Sequence, residues 1–283
     1  MASPSSLFPG KHFISTILEA LETKNDMSGR MTRRYLQRAA MAGIIIGLMY
    51  GTNYAVVAGF DAIPAGDTTL HALGRLVGAL VFGWALVFIY YTKSELLTSN
   101  MMIVSIGVYH RRTTVPRALR LLGLCYLGNV LGGLLIAVLY RFSTLIGAGV
   151  QAEMHHAVVT KLAYVGAGAT GWVDLLVRAV LCNFMINLAM LIVYNGIIRD
   201  DLTRSLVMIM SVFVFAFLSF EHSVANTVLF TIMGLQEGID LGAAAVALVI
   251  ALVGNFIGGG LLIGLYYAYV NDDTSYVREH GVE

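Results

Sequence analysis

The sequence predicts an all-α integral membrane protein of six spans, two of them broken, arranged as an inverted repeat of three plus three. Three observations carry this. The 283-residue chain is 58% hydrophobic and only 12% charged, about half the charged share of a soluble domain. Four segments are apolar and long enough to cross a bilayer, and two more are apolar runs cut by a polar stretch. Finally, the two halves match at a constant offset of 126 residues.

Composition also excludes. Eighteen Lys+Arg against seventeen Asp+Glu give a net charge of +1, without the basic surface that nucleic-acid binding needs. Abundant Gly (30) and scarce Pro (4) suit closely packed membrane helices. The two cysteines, Cys125 and Cys182, each stand inside an apolar run. They are too few for a disulfide framework and lack zinc spacing, so they read as buried packing residues, and no cofactor or metal is expected.

Residues 1–38 form a cytoplasmic segment holding six basic residues. Phe13, Ile14, Ile17, Leu18 and Leu21 recur at helical spacing, predicting an amphipathic helix over 11–24. Its charges and the lack of a compact apolar core do not read as a secretory signal. The membrane domain covers 39–270. Its first span is 39–60, since roughly 20 apolar residues cross the bilayer core. Residues 76–91 stop at Lys93-Ser-Glu95-Leu96-Leu97-Thr98-Ser-Asn100 and resume at 101–108, a broken helix whose halves are each too short to span. The spans 121–140 and 173–196 follow, the latter with Asp174 and Arg178 four apart, able to pair on one face. Residues 206–220 stop at Glu221-His222-Ser223-Val-Ala-Asn226 and resume at 227–233, the second broken helix. The span 241–270 completes the domain, and 271–283 is a cytoplasmic tail. Thirteen basic residues fall on the side of the termini and three opposite, which places both termini in the cytoplasm.

Polar backbone at membrane depth costs several kcal/mol per unsatisfied group unless it is buried in protein or faces a water-filled cavity. Both breaks have the form Glu, four residues, Asn: Glu95 to Asn100 and Glu221 to Asn226. In the same register Gly128-Asn129 and Gly132-Gly133 fall on Gly254-Asn255 and Gly258-Gly259. Three spans per half is an odd number, so the second half inserts upside down. Inverted repeats with paired broken helices mark a transport pathway. The Gly-rich runs read as close-packing helix faces.

Ser-Phe-Glu221-His222-Ser223-Val-Ala-Asn226 closely resembles the signature of the formate/nitrite transporter family, and Ser-Glu95-Leu-Leu-Thr98-Ser-Asn100 resembles its first-half loop. Arg178-Ala-Val-Leu-Cys-Asn183 and Gly254-Asn-Phe-Ile-Gly-Gly-Gly260 resemble its fourth and sixth spans. The resemblance runs from residue 11 to about 270. It implies an aquaporin-like fold, a homopentamer with one pore per subunit in the cell membrane, and passage of small monovalent anions or their acids: formate, nitrite, hydrosulfide or short monocarboxylates such as lactate. Carried over, the pore centre comprises His222, Thr98, Asn183 and Asn226. The outer constriction uses Phe82, Leu97 and Ile186, and the inner one Leu86, Leu96 and Phe215. Leu97 stands where the family usually has Phe, which loosens the outer constriction towards a larger acid. Thr227 stands where Met is frequent. Lys161 is the nearest match to the lysine that many members carry ahead of the fourth span.

An ionisable group inside a membrane span is costly and marks a pathway, which favours His222 over a structural reading. Glu95 and Glu221 read as loop scaffold, accepting hydrogen bonds from N–H groups freed by the breaks. Lys93 and Lys161 are the vestibule cations, gathering the anion and raising its proton affinity so that the neutral acid passes with proton coupling through His222. Two rival classes remain. A passive aquaporin-like pore for neutral solutes would normally show an Asn-Pro-Ala pair and a filter arginine, which are absent here. A membrane hydrolase using Ser223 and His222 would need adjacent residues to meet, which one helix face does not allow. No enzyme activity is expected.

Overall fold

The computed structural model describes residues 7–280; residues 1–6 and 281–283 of the expected terminal segments lie outside them. Apart from a hairpin of β1 (Pro64–Ala65) and β2 (Thr68–Thr69), the ordered elements are helices: α1 (Lys11–Arg30), α2 (Thr32–Asp61), α3 (His71–Tyr91), α4 (Leu97–Tyr109), α5 (Val115–Arg141) and α6 (Ala148–Gly166). They continue with α7 (Gly168–Tyr194), α8 (Asp201–Phe217), α9 (Ser223–Gln236), α10 (Leu241–Asn255), a π-helical stretch (Phe256–Leu265), α11 (Tyr266–Val270) and α12 (Thr274–His280).

Five helical stretches are long and apolar enough to cross a membrane: α2, α3, α5, α7 and the run beginning at Leu241, while α4 and α9 are shorter apolar helices. The 21 residues of α3 exceed the expected 76–91 half and suffice alone. Helix α2 begins at Thr32, inside the segment expected to precede the membrane domain. Helix α6 belongs to no expected span; its charges and paired histidines mask it in a hydropathy reading.

Both breaks are made the same way. Lys93 and Ser219, 126 apart, adopt the left-handed conformation at φ 55°. Each helix then closes with a long bond, Ser94 N–H to Ile89 C=O (3.0 Å) and Phe220 N–H to Phe215 C=O (2.9 Å), the six-to-one bond of a Schellman stop. Two asparagines satisfy the freed backbone. The Oδ1 of Asn129 accepts from Leu97 N–H (3.1 Å), while its Nδ2 donates to the carbonyls of Ala39 and Glu95 (2.8 Å each). Asn255 accepts from Ser223 N–H (2.8 Å) and donates to the carbonyls of Ala179 (2.8 Å) and Glu221 (2.9 Å). The glycine positions match too. A Cβ at Gly132 would stand 1.9 Å from Ala40 O, and one at Gly258 would stand 2.0 Å from Val180 O, so these helices touch backbone to backbone.

The start of α1 meets the residues that follow α11. Lys11 pairs with Asp273, Gly10 N–H donates to Asn271 Oδ1 (2.7 Å), and Tyr109 donates to Asp272 (3.0 Å). Apolar side chains such as Leu131, Leu139, Val173 and Leu262 point outward, as expected of surfaces facing lipid or a neighbouring copy.

Candidate permeation site

Each break places a buried carboxylate beside a lysine, Lys161 buried and Lys24 half-buried. Glu221 accepts from Lys161 Nζ through both oxygens (2.9 Å each) and from Asn226 Nδ2 (2.6 Å). Glu95 accepts from Lys24 Nζ and from Asn100 Nδ2 (3.1 Å). Glu95 and Glu221 are 4% and 2% exposed, and a carboxylate so placed requires a hydrogen-bonded cation. The carboxylates take lysine and asparagine donors; the loop N–H groups expected to reach them go to Asn129 and Asn255 instead.

Lys24, on α1, is not among the expected cations. Its polar position on an amphipathic helix reads as a solvated charge, and no local motif connects it with Glu95. Lys93 lines the same cavity, but its ammonium stands 4.8 Å from the centre of the Tyr90 ring, not on the carboxylate.

Two cavities, each holding one of the lysine–carboxylate pairs, border a common void. One, of about 300 Å³, is lined by Lys161, Glu221, His222, Asn226, Phe82 and Phe215. The other, of about 280 Å³, is lined by Lys24, Lys93, Glu95, Leu86, Leu96 and Tyr194. Between them lies a void of about 20 Å³ that shares Phe82, Phe215 and His222 with the first cavity and Leu86, Ile89 and Leu96 with the second. Ile186 also lines this void. Phe82 and Phe215 meet edge to face, ring centres 6.2 Å apart. Phe215, expected with Leu86 and Leu96, lines the void with both and also meets Phe82. Leu97, expected opposite Phe82, lines none of the three spaces; it is buried, and its backbone N–H is the one that donates to Asn129.

His222 and Thr98 come together. His222 caps α9: its Nδ1 accepts from Val224 N–H (3.1 Å) and Ala225 N–H (3.2 Å), while Nε2 stands 3.3 Å from Thr98 Oγ1. An Nδ1 that accepts carries no proton, so the ring's single N–H is at Nε2, aimed towards Thr98. Asn183 stands behind Thr98, not in the void. Its Nδ2 donates to the carbonyls of Thr98 (3.1 Å) and Asn255 (2.6 Å), and Asn187, one turn on, donates to Thr98 O as well (3.2 Å). Asn187 is not among the expected site residues, although two asparagines four apart in an apolar span already mark one polar helix face.

A sequence profile of the formate/nitrite transporters matches residues 11–269. The chain belongs to the formate/nitrite transporter family. A formate/nitrite relative, the formate channel FocA of Haemophilus influenzae, is 29% identical over 262 residues, covering 81% of this chain and 85% of its own. Among solved structures, an ion channel of the formate/nitrite transporter family superposes with a TM-score of 0.76 at 22% identity, over 92% of this chain and 99% of that one. A pentameric formate channel with formate bound superposes with a TM-score of 0.67 at 20% identity, over 85% and 98%. These two likenesses establish a shared fold.

Proposed function

We propose that this chain conducts a small monovalent anion, of the formate, nitrite or lactate class, across the cell membrane as its neutral acid, with one pore per subunit of a homopentamer. The observation that carries the proposal is the sequence of spaces: lysine-floored cavity, apolar neck, lysine-floored cavity. In this reading six spans run as an inverted three-plus-three repeat with both termini in the cytoplasm. Lys24 and its cavity then face the cytoplasm, and Lys161 faces outward. The six matched bonds of Asn129 and Asn255 support that arrangement, and the pentameric neighbour supports the assembly.

An uncompensated anion in the neck would cost far more than thermal energy. Protonating an acid of pKa about 4 at pH 7 costs roughly 4 kcal/mol, so neutralisation is the cheaper route. Lys161 and Lys24 attract the anion while Glu221 and Glu95 hold them in place. The anion takes a proton from the water of the cavity. The neutral acid then passes Phe82 and Phe215, meets the Nε2–H of His222 and the hydroxyl of Thr98, and leaves past Leu86 and Leu96. In this scheme His222 is a hydrogen-bond donor. A second proton on Nδ1 would remove both cap bonds to α9, which argues against a relay through the imidazolium. Leu97 lies outside the neck, so the neck's width for a larger acid falls to Phe82, Phe215 and Ile186.

Labelled formate and lactate uptake into proteoliposomes, measured from external pH of about 8 down to about 5, tests this. Uptake is expected to rise as external pH falls. His222→Asn keeps an N-cap acceptor while withdrawing the Nε2 donor, and is expected to lower uptake about tenfold with the fold intact. Uptake independent of pH for both acids, or unchanged in His222→Asn, overturns the corresponding part of the scheme.

A further inference from the structure

Asp61, His71 and Glu153 each offer one ligand atom, and the three atoms lie within 4.8 Å of one another. They come from three elements: Asp61 is the last residue of α2, His71 the first of α3, and Glu153 lies in α6. His71 Nδ1 stands 3.5 Å from Asp61 Oδ1 and 3.5 Å from Glu153 Oε1. Those distances exceed ordinary hydrogen bonds. These two match edges of a tetrahedral metal shell instead, since ligands at about 2.0–2.1 Å from the ion stand about 3.4 Å apart; the third, Asp61 to Glu153, is at most 4.8 Å.

Two further features favour a cation. Glu153 keeps only 16% of its side chain exposed, and among the described residues its one ion-pair partner is His71, an imidazole and not a permanent cation. Asp61 closes α2, whose carbonyl end carries partial negative charge. The site is also preformed. The β1–β2 hairpin fixes Asp61 against His71, with Leu70 N–H donating to Ile63 C=O (3.1 Å) and Thr69 Oγ1 donating to Asp61 Oδ1 (2.5 Å). Asp61 and His71 are 44% and 40% exposed, which leaves the ion an entry path and a water for its fourth position.

We propose that Asp61, His71 and Glu153 form a binding site for a divalent transition metal ion, Zn²⁺ by donor type, at the mouth of the Lys161 cavity. One imidazole and two carboxylates suit zinc better than magnesium or calcium, which prefer oxygen alone. His71 and Glu153 both line that cavity. An ion between them ties α3 to α6 across its mouth and cancels the charge of the two carboxylates there, so the metal both narrows the entrance and regulates it.

The probe is Zn²⁺ alone, titrated into purified protein in detergent by calorimetry and by thermal unfolding. This readout does not depend on transport, so it stands apart from the proposed function. One site per chain is expected, with a rise in unfolding temperature. His71→Ala and Glu153→Gln should each weaken binding at least tenfold. His155→Ala, which alters the separate His155–Glu237 pair, should leave that site intact. In proteoliposomes Zn²⁺ added on the Lys161 side should slow formate uptake in the parent protein and not in His71→Ala. Absent binding, or binding lost in His155→Ala and kept in His71→Ala, overturns the assignment. Binding that leaves uptake untouched overturns the regulatory half alone.

Discussion

Asn129 is the residue on which the first break depends, and Asn255 the second. Each satisfies three backbone groups at once, at a depth where water does not replace a lost partner. Asn129→Leu strands Leu97 N–H and the carbonyls of Ala39 and Glu95, at about 1–3 kcal/mol for each unsatisfied group. We therefore expect Asn129→Leu and Asn255→Leu to lose most of their properly folded yield, measured by size-exclusion chromatography in mild detergent. An aspartate in the same place has the same shape, keeps the acceptor and loses both donations, so Asn129→Asp should fall between. A parental elution profile in Asn129→Leu would show that the break is held by something else. The Glu-to-Asn spacing exposed both breaks in the sequence, but not who answers the backbone. That task falls to asparagines 34 residues further on, in helices the motif does not touch.

At the scale of elements, packing and pH each make a prediction. Helix α10 and the π-helical stretch close on α7 through Gly254 and Gly258, as α5 closes on α2 through Gly128 and Gly132. Gly258→Ala forces two backbones apart and should destabilise by an amount at or above the upper end of about 1–3 kcal/mol. Gly123→Ala, with open space around it on α5, should be neutral or slightly stabilising. Thermal unfolding of the two variants side by side checks this. Beyond α11, hydrogen bonds from Thr274, with a further one from Tyr109, hold Asp272 below its ordinary 3.8. A carboxyl lowered by folding adds stability above its ordinary value and loses it as pH falls through the lowered one. Asp272→Asn should therefore lower the unfolding temperature slightly at pH 7, and the difference from the parent should shrink below about pH 3.8 and vanish once pH is under the lowered value. A difference that persists in acid would mean that Asp272 acts by shape and not by charge.

For the whole molecule, hydropathy located the apolar helices because each must present about 20 residues to lipid. It also underestimated α3 and passed over α6, since both run into polar surroundings at the cavity where His71, Arg75, Glu153 and Lys161 gather. Charge and hydropathy average over such faces. The offset of 126 residues recovered the matched breaks because identical local tasks need identical side chains. It gave no sign of Lys24, whose role is set by where α1 docks. Phe215 lines the void with Leu86 and Leu96 and also meets Phe82, because position along a broken helix does not say how many neighbours a ring will reach. His222 falls where Leu96 stands in the first half, so the one imidazole of the neck breaks the correspondence between the halves.

The meeting of α1 with the residues that follow α11 has a consequence for how the protein is made. Helix α1 is synthesised early, yet Gly10 and Lys11 find their partners Asn271 and Asp273 only 261 and 262 residues later. Until that stretch has been made, α1 is held by the Lys24–Glu95 pair and part of its apolar face, with Phe13 still lacking the Tyr267 ring that it meets edge to face. The docking of α1, which carries Lys24 to its cavity, is thus completed only once residues 267–273 have been made.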